Sequence, residues 1–317
     1  MTASQGDPKR LAGVRTPYAD MPERVRAWVD EQLQSPVTTV IPRTGGMSPA
    51  VAATVVTADG SRGFVKAVSA DINPDTPSHF RNEVAILSRI GPAPYRADLL
   101  ASYDDGNWVA ILLEDIDGDH PDWDDPAVVD ATLTAVLAQT RELTPAPSGL
   151  DTESVADFMD NHQRRMLADP PAELLRLLPA WAFDRQDELW SFVRDGDPVD
   201  GETLCHWDIR HDNLLVRHRD RQVVMLDWGV ARRGPWWADV FVLAAEWAET
   251  DLFDDLLFRA GLDDAEQRTV TRLLASVGLY AVMASGLPAP PGLPNLPSFR
   301  AELGARCLTG VRRRLSL

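Results

Sequence analysis

The chain is short of several things at once. Only two cysteines, Cys205 and Cys307, occur in 317 residues, too few and too far apart for a disulfide framework or a cysteine-built zinc site. No stretch reaches the roughly 18 uncharged apolar residues that a membrane-spanning helix needs, and residues 1–20 are polar, without the apolar core of a secretory signal. Positive charge is also scarce. The 31 Lys and Arg face 48 Asp and Glu, a net charge of −17. Nucleic-acid backbones and anionic membranes are held mainly through an excess of Lys and Arg, so neither is expected as a partner. The expectation is a soluble, cytoplasmic protein.

The scarcest cation is lysine: Lys9 and Lys66 are the only two, and every other basic side chain is arginine. One of them sits inside an apolar segment, an exception that an arginine-biased composition does not explain. The acidity is uneven as well. Residues 1–114 hold 11 basic and 13 acidic side chains, a balance of −2, whereas residues 115–317 hold 20 and 35, a balance of −15. A chain of this length exceeds what one small core needs, so two lobes or one large domain are expected.

The pattern along the chain changes character near residue 115. Residues 1–17 read as a loose tail, and 21–33 as an amphipathic helix with Val25, Trp28, Val29 and Leu33 at helical spacing. Segments 37–41, 50–57 and 63–68 are rich in Val, Thr and Ile and are separated by Gly45-Gly46 and Asp59-Gly60, which predicts three antiparallel strands. A helix with Phe80, Val84, Leu87 and Ile90 follows, stopped by Gly91-Pro92. Strands at 99–103 and 108–114 come next, and then an acidic connector at 115–125. Beyond it helices are expected at 125–143, 155–167, 184–193, 241–248, 265–284 and 299–314, with a β-hairpin at 214–217 and 223–226 among them. The fold class is therefore α+β and bilobal: a β-rich N-terminal lobe with one helix, and a mostly helical C-terminal lobe containing a β-hairpin. The expected division is 1–113, a hinge at 114–118, and 119–317.

The densest polar cluster is His206-Trp207-Asp208-Ile209-Arg210-His211-Asp212-Asn213, followed across the hairpin by Asp227-Trp228-Gly229. A carboxamide and a carboxylate joined by a two-stranded turn supply oxygen donors for a hard cation such as Mg²⁺, which keeps waters and phosphates as its other ligands. The remaining carboxylate, Asp208, is then free to accept a hydrogen bond from an attacking hydroxyl. That is the minimum apparatus of phosphoryl transfer.

These residues resemble a known family. His206-x-Asp208-x-x-x-x-Asn213 with Asp227-x-Gly229 is similar to the catalytic loop and metal motif of the aminoglycoside phosphotransferase and choline kinase group, relatives of the protein kinases. The N-terminal half agrees in order: Lys66 on the third strand, Glu83 on the helix 17 residues later, and Ile111-Leu112-Leu113-Glu114-Asp115-Ile116 resembling the hinge. The resemblance covers residues 37–248. It implies that Lys66 holds the α and β phosphates of ATP, or of GTP, and that Glu83 orients it. It further implies that Asn213 and Asp227 bind Mg²⁺, that Asp208 positions the acceptor hydroxyl, and that the adenine lies against the backbone of Glu114 to Ile116. The resemblance also implies that Gly46 and Ser48 of Thr44-Gly45-Gly46-Met47-Ser48, a segment poor in glycine for this role, contact the phosphates. Arg210, two residues after Asp208 where protein kinases carry a lysine, is expected either to touch the γ-phosphate or to form a salt bridge. Asp239 matches an aspartate that holds the catalytic loop. Two positions depart from the pattern: Trp207 replaces the usual Gly or Arg, and His211 the common Pro.

Each residue also has a plainer reading. A lone lysine is more often on a surface edge strand than in a site, and Asp and Asn are common in turns and caps. The spacing, taken as a set, is what favours chemistry. Trp236 and Trp237 read as core residues and His206 as a packing residue. Two other functions fit some of the residues: a metallohydrolase using His206, Asp208, His211 and Asp227, and a nucleotide-binding protein without catalysis. The short interval from Asp227 to Asp239 leaves no room for the activation segment of a protein kinase. The expected substrate is a small-molecule alcohol such as an aminoglycoside-like antibiotic, and the acidic C-terminal half favours a cationic one. The basic Arg312-Arg313-Arg314 runs against that, and nothing in the sequence fixes the oligomeric state.

Overall fold

A computed structural model of the chain describes residues 14–46, 48–195 and 199–316. Helix α1 (Glu23–Gln32) leads into strands β1 (Val37–Pro42), β2 (Val51–Thr57) and β3 (Arg62–Ser69), helix α2 (Thr76–Ile90), and strands β4 (Leu99–Asp104) and β5 (Trp108–Leu113). A short β6 (Gly118–Asp119) precedes α3 (Pro126–Glu142) and the small helices α4 (Val155–Phe158), α5 (Arg165–Ala168), α6 (Ala172–Leu175), α7 (Ala180–Asp184) and α8 (Gln186–Arg194). Then come β7 (Thr203–Cys205), β8 (Leu214–Arg217), β9 (Val223–Met225) and β10 (Arg232–Gly234), and helices α9 (Ala238–Ala244), α10 (Asp251–Ala260), α11 (Asp264–Ala284) and α12 (Leu296–Arg314). No helix among the described residues is long and apolar enough to cross a membrane.

Packing divides the chain into two compact units. One comprises the described residues up to Ala135 with His211–Ala231 and Pro290–Asn295; the other comprises Val136–Arg210, Arg232–Ala289 and the described residues from Leu296 onward. The expected division followed chain order, whereas the β8–β9 hairpin groups by its contacts with the sheet-bearing unit.

That first unit is built on an antiparallel sheet of order β1-β2-β3-β5-β4. Because side chains alternate between faces, Val65 and Ala67 of β3 fall on one face with Val51, Val55, Ala110 and Leu112, where Val25 and Val29 of α1 cover them. Full burial of each such valine stabilises the docking by about 1.5–3 kcal/mol. The intervening residue Lys66 is thereby turned to the other face, toward α2, which packs on β3 and β5. Lys66 lies on the middle strand, paired with Ala52 and Ile111, so the edge-strand reading does not hold.

The second unit is mostly helical, with a two-stranded antiparallel ribbon of β7 and β10 that pairs Cys205 with Arg232. Helices α11 and α12 pack closely through glycine. A Cβ on Gly304 would stand 2.6 Å from the Val282 backbone nitrogen and 3.0 Å from the Gly278 carbonyl. Three expectations need correction. The helix expected at 155–167 is interrupted by a π-helical turn, Met159–Arg164. The end of the expected loose tail, residues 14–17, is tied down: Val14 N–H donates to Gly292 and Thr16 N–H to Ala50. Between the helices expected at 241–248 and 265–284 lies a further one, α10, whose acids meet the C-terminal arginines, Asp251 and Asp254 with Arg313, and Asp254 with Arg314. These acids and the C-terminal arginines form one ion-pair network.

Candidate active site

In the first unit, three of the expected residues come within hydrogen-bonding distance. The Lys66 ammonium lies 2.5 Å from Glu83 Oε2 and 2.9 Å from Asp227 Oδ1, and 4.9 Å over the ring of Phe80. Glu83 has no exposed surface. Burial alone would pull the lysine down, yet Asp227 and Glu83 together outweigh it and hold the ammonium above its ordinary range. Burial pushes Glu83 upward against the pull of Lys66. A buried pair of this kind is costly to break, because removing one member strands the other's charge.

Asp227 is presented by a strained turn. Its φ of 66° and ψ of 71° place a non-glycine residue in the left-handed region, just ahead of the 3₁₀ turn Trp228–Val230. The turn is pinned to α2: Trp228 N–H approaches Glu83 Oε1 at 3.4 Å, and Asn82 Nδ2 donates to the Gly229 carbonyl at 2.8 Å. Position 229 must be glycine, because a Cβ there would lie 2.9 Å from the His79 carbonyl oxygen. Glu83 thus holds both the lysine and the segment that carries Asp227. Asn213 is buried, and its carbonyl accepts from Leu226 N–H at 2.8 Å, so its backbone lies beside the residue preceding Asp227. A carboxamide and a carboxylate whose side chain is 40% exposed suit Mg²⁺, which takes few protein ligands and retains water and phosphate oxygens.

The remaining nucleotide-contact candidates lie in the same unit. Glu114 N–H donates to the Asp98 carbonyl at 2.9 Å, and Ile116 is buried with Ala97 and Val224. Gly46 has a φ of 82°, the left-handed conformation that glycine permits. Met47 lies outside the described residues. Sequence reasoning missed Arg15, for which no motif or periodicity gave a signal. Its guanidinium donates to the Ser48 carbonyl at 2.5 Å and to the Gly45 carbonyl, bracketing the loop of Gly46 and Ser48. Burial lowers its pKa, against the raising influence of Asp227 and Asp212.

Asp208 and Arg210 belong to the second unit, on the loop that follows β7. Asp208 Oδ1 lies 3.2 Å from Arg210 Nη1, and that guanidinium stacks 5.3 Å over Phe299. The loop is fixed from behind by buried Asp239 at the start of α9, which accepts from both His206 N–H and Trp207 N–H at 2.8 Å. Burial raises the Asp239 pKa, offset in part by His206 and these backbone donors. Trp207, where glycine is usual, has a φ of 64°, a conformation that costs a side-chain-bearing residue about 1–2 kcal/mol. Its ring meets Phe158 at 6.4 Å. Trp207, Asp208 and Arg210 line a cavity of about 240 Å³ with Phe241, Tyr280 and Phe299. Trp237 is core, as expected; Trp236 is half-buried, its indole donating to Glu266 at 2.8 Å.

The metallohydrolase reading is not favoured. His206 is fully buried, with its Nδ1 3.3 Å from the Asp208 N–H, and His211 Nε2 lies 3.1 Å from the Pro121 carbonyl. Among the described residues, no three His, Cys, Asp or Glu side chains group to hold a metal ion.

Solved structures of several known proteins share this fold. An aminoglycoside phosphotransferase from Alicyclobacillus acidocaldarius superposes with a TM-score of 0.61 at 16% identity, over 95% of this chain and 98% of that one. A thermostable mutant of aminoglycoside phosphotransferase APH(4)-Ia, solved with ADP and hygromycin B, gives 0.61 at 14% identity over 91% and 98%. Choline kinase LicA from Streptococcus pneumoniae gives 0.56 at 15% over 92% and 100%. At these identities the likeness shows the fold, that of the kinase-like small-molecule phosphotransferases. No curated protein matches the chain. The profile of the phosphotransferase enzyme family (APH) matches residues 39–274, most of the chain, and the protein therefore belongs to that family.

Proposed function

We propose that the protein is an ATP-dependent phosphotransferase that moves the γ-phosphate to a hydroxyl of a small molecule. The observation that carries this reading is the buried ammonium of Lys66 held between Glu83 and Asp227. Such a group is a fixed point charge for the α and β phosphates, and the pin from Glu83 to the turn after Asp227 keeps it in place. Neighbours of the same fold were solved with ADP and hygromycin B, and with AMP-PNP and amicoumacin. They support a nucleotide donor and a small-molecule acceptor, with GTP as a second donor to be tested.

Each side chain then has a role. The backbone of Glu114 to Ile116 holds the base; Lys66 and the loop of Gly46 and Ser48, braced by Arg15, hold the phosphates; Asn213 and Asp227 would hold Mg²⁺. When bound, Mg²⁺ neutralises charge on the phosphate oxygens. Asp208 accepts the hydrogen bond of the acceptor hydroxyl and aims its oxygen at the γ-phosphorus. A new oxygen–phosphorus bond forms as the bond to the β-phosphate oxygen breaks, leaving ADP, and the hydroxyl proton passes to the carboxylate. Asp208 need not be a strong base, because a loose transition state asks mainly for alignment and neutralised charge. Arg210, beside Asp208, steadies the carboxylate and is available to the transferred phosphate. The cytoplasm, where ATP is plentiful, is the proposed location.

The test is ADP release across a panel of hydroxylated antibiotics, sugars, nucleosides and amino alcohols, with ATP and GTP as donors. Asp208→Ala and Asp227→Ala are expected to lose activity by at least about a hundredfold with circular dichroism unchanged. Full turnover in Asp208→Ala would instead favour a role without this catalytic carboxylate.

A further inference from the structure

The cavity beside Asp208 has a charge balance opposite in sign to that of the chain as a whole. The inference drawn from it rests on the phosphotransfer reading, since Asp208 is taken as the group that meets the acceptor hydroxyl. The walls are largely apolar: Phe158, Trp207, Phe241, Tyr280, Phe299 and Leu303. Five charged side chains reach it, the acids Asp208 and Glu246 against Arg210, Arg300 and Arg306. The cavity therefore has one positive charge in excess, within a chain whose total is −17.

Both acids are already engaged. Asp208 faces Arg210 at 3.2 Å and Glu246 faces Arg306 at 2.9 Å. Arg300 donates to the Ala284 carbonyl at 3.3 Å and meets no carboxylate among the described residues. An ammonium group entering here would lose its hydration next to guanidinium groups and find no acid left to pair with. An apolar ring would instead displace water from aromatic walls, and a carboxylate would find Arg300. At about 240 Å³ the space lies below the roughly 300–1,000 Å³ of sites for drug-sized ligands. It suits one ring with a short substituent.

We infer that the phosphate acceptor is a small ring-bearing alcohol, neutral or anionic, whose apolar face fills this cavity and whose carboxylate, where present, pairs with Arg300. It is an alternative to the cationic, aminoglycoside-like substrate expected from the family resemblance and the charge of the whole C-terminal half, and it is drawn from the residues around Asp208.

Three compounds sharing a phenyl ring and a hydroxyl separate the possibilities: phenylethanol is neutral, phenyllactate anionic and phenylalaninol cationic. Binding of each to the full-length protein, with hygromycin B as a polycation, is measured by calorimetry and ligand-observed NMR without turnover. Phenyllactate is expected to bind tightest, and phenylalaninol at least about tenfold more weakly. Hygromycin B is expected not to displace phenyllactate. Arg300→Glu should invert the order of phenyllactate and phenylalaninol, and Val277→Trp, at a residue of α11 that also lines the cavity, should fill it and abolish phenyllactate binding, each with an unchanged circular dichroism spectrum. Tighter binding of phenylalaninol or hygromycin B by the wild-type protein, no saturable binding of any phenyl compound, or an order unaffected by Arg300→Glu overturns the inference. ADP release is scored separately. The charge order without ADP release from any alcohol supports the cavity's selectivity and counts against the phosphotransfer reading; ADP release driven by hygromycin B does the reverse.

Discussion

At the scale of single residues, the site depends on how Lys66 is kept charged. Its raised pKa means that the ammonium contributes stability that is complete below the ordinary lysine value of 10.5 and is lost as pH rises through the raised value. In Glu83→Gln the buried lysine keeps only Asp227, and burial then pulls its pKa down. The alkaline fall in kcat/KM should move to lower pH in this variant, while the wild type stays level up to about 10.5 with respect to this group. Profiles taken from neutral to strongly alkaline pH check this, and superimposable alkaline limbs would refute it. Arg15 gives a second test. Removing a charged donor to two loop carbonyls in Arg15→Ala costs about 1.5–3 kcal/mol of loop anchoring, so the KM for ATP should rise about tenfold or more with kcat less affected. Lys66, Glu83 and Asp227 were legible in the sequence because lysine is so rare here that its one apolar setting stands out, and because the spacing to Glu83 matches a strand followed by a helix. Arg15 was not, since an arginine in a polar stretch with no periodicity looks like any other.

At the scale of elements, legibility followed length. Strands β1 to β5 and helices α2, α3, α11 and α12 are long enough to show their period, and all were expected within a few residues of where they lie. The ribbon of β7 and β10 was missed because three residues cannot display an alternation, although that ribbon leads directly into the loop of Asp208. Helix α10 was missed for a different reason. Its apolar residues Phe253, Leu256 and Leu257 have helical spacing, but they stand among acids whose arginine partners lie about 60 residues away. The close pairing of α11 with α12 yields a stability prediction. Gly304→Ala gains about 1 kcal/mol of helix propensity but places a methyl group 2.6 Å from a backbone nitrogen that cannot move aside as a side chain would. Overpacking of this kind costs about 1–3 kcal/mol. The net effect should be a lower urea midpoint at unchanged m-value; a raised midpoint would show that the helices separate freely.

For the whole molecule, the fold class was legible because a run of strands followed by a run of helices leaves few architectures, whereas the grouping of the hairpin with the sheet-bearing unit was not, because chain order does not say which elements share a core. Charge shows the same limit. Its total was correctly counted, but its placement was not readable: much of the acidity is spent in pairs such as Glu246 with Arg306 and Asp251 with Arg313, and the cavity at Asp208 is left with an arginine excess. The long-range field and the local field therefore oppose each other. An anionic alcohol approaching the −17 chain is repelled until it comes within reach of Arg300, whose partial burial weakens screening of the final contact. Salt acts mainly on the approach, since the screening length falls from about 30 Å at 0.01 M to about 8 Å at 0.15 M. With the nucleotide saturating, kcat/KM for phenyllactate should thus rise a few-fold between these ionic strengths, and that for phenylethanol should stay level. A substrate drawn in by the acidic surface would behave in the opposite way, its kcat/KM falling with salt as electrostatic steering is lost. A fall for phenyllactate would mean that the acceptor is guided by positive charge well beyond the cavity, which the arrangement of these arginines does not provide.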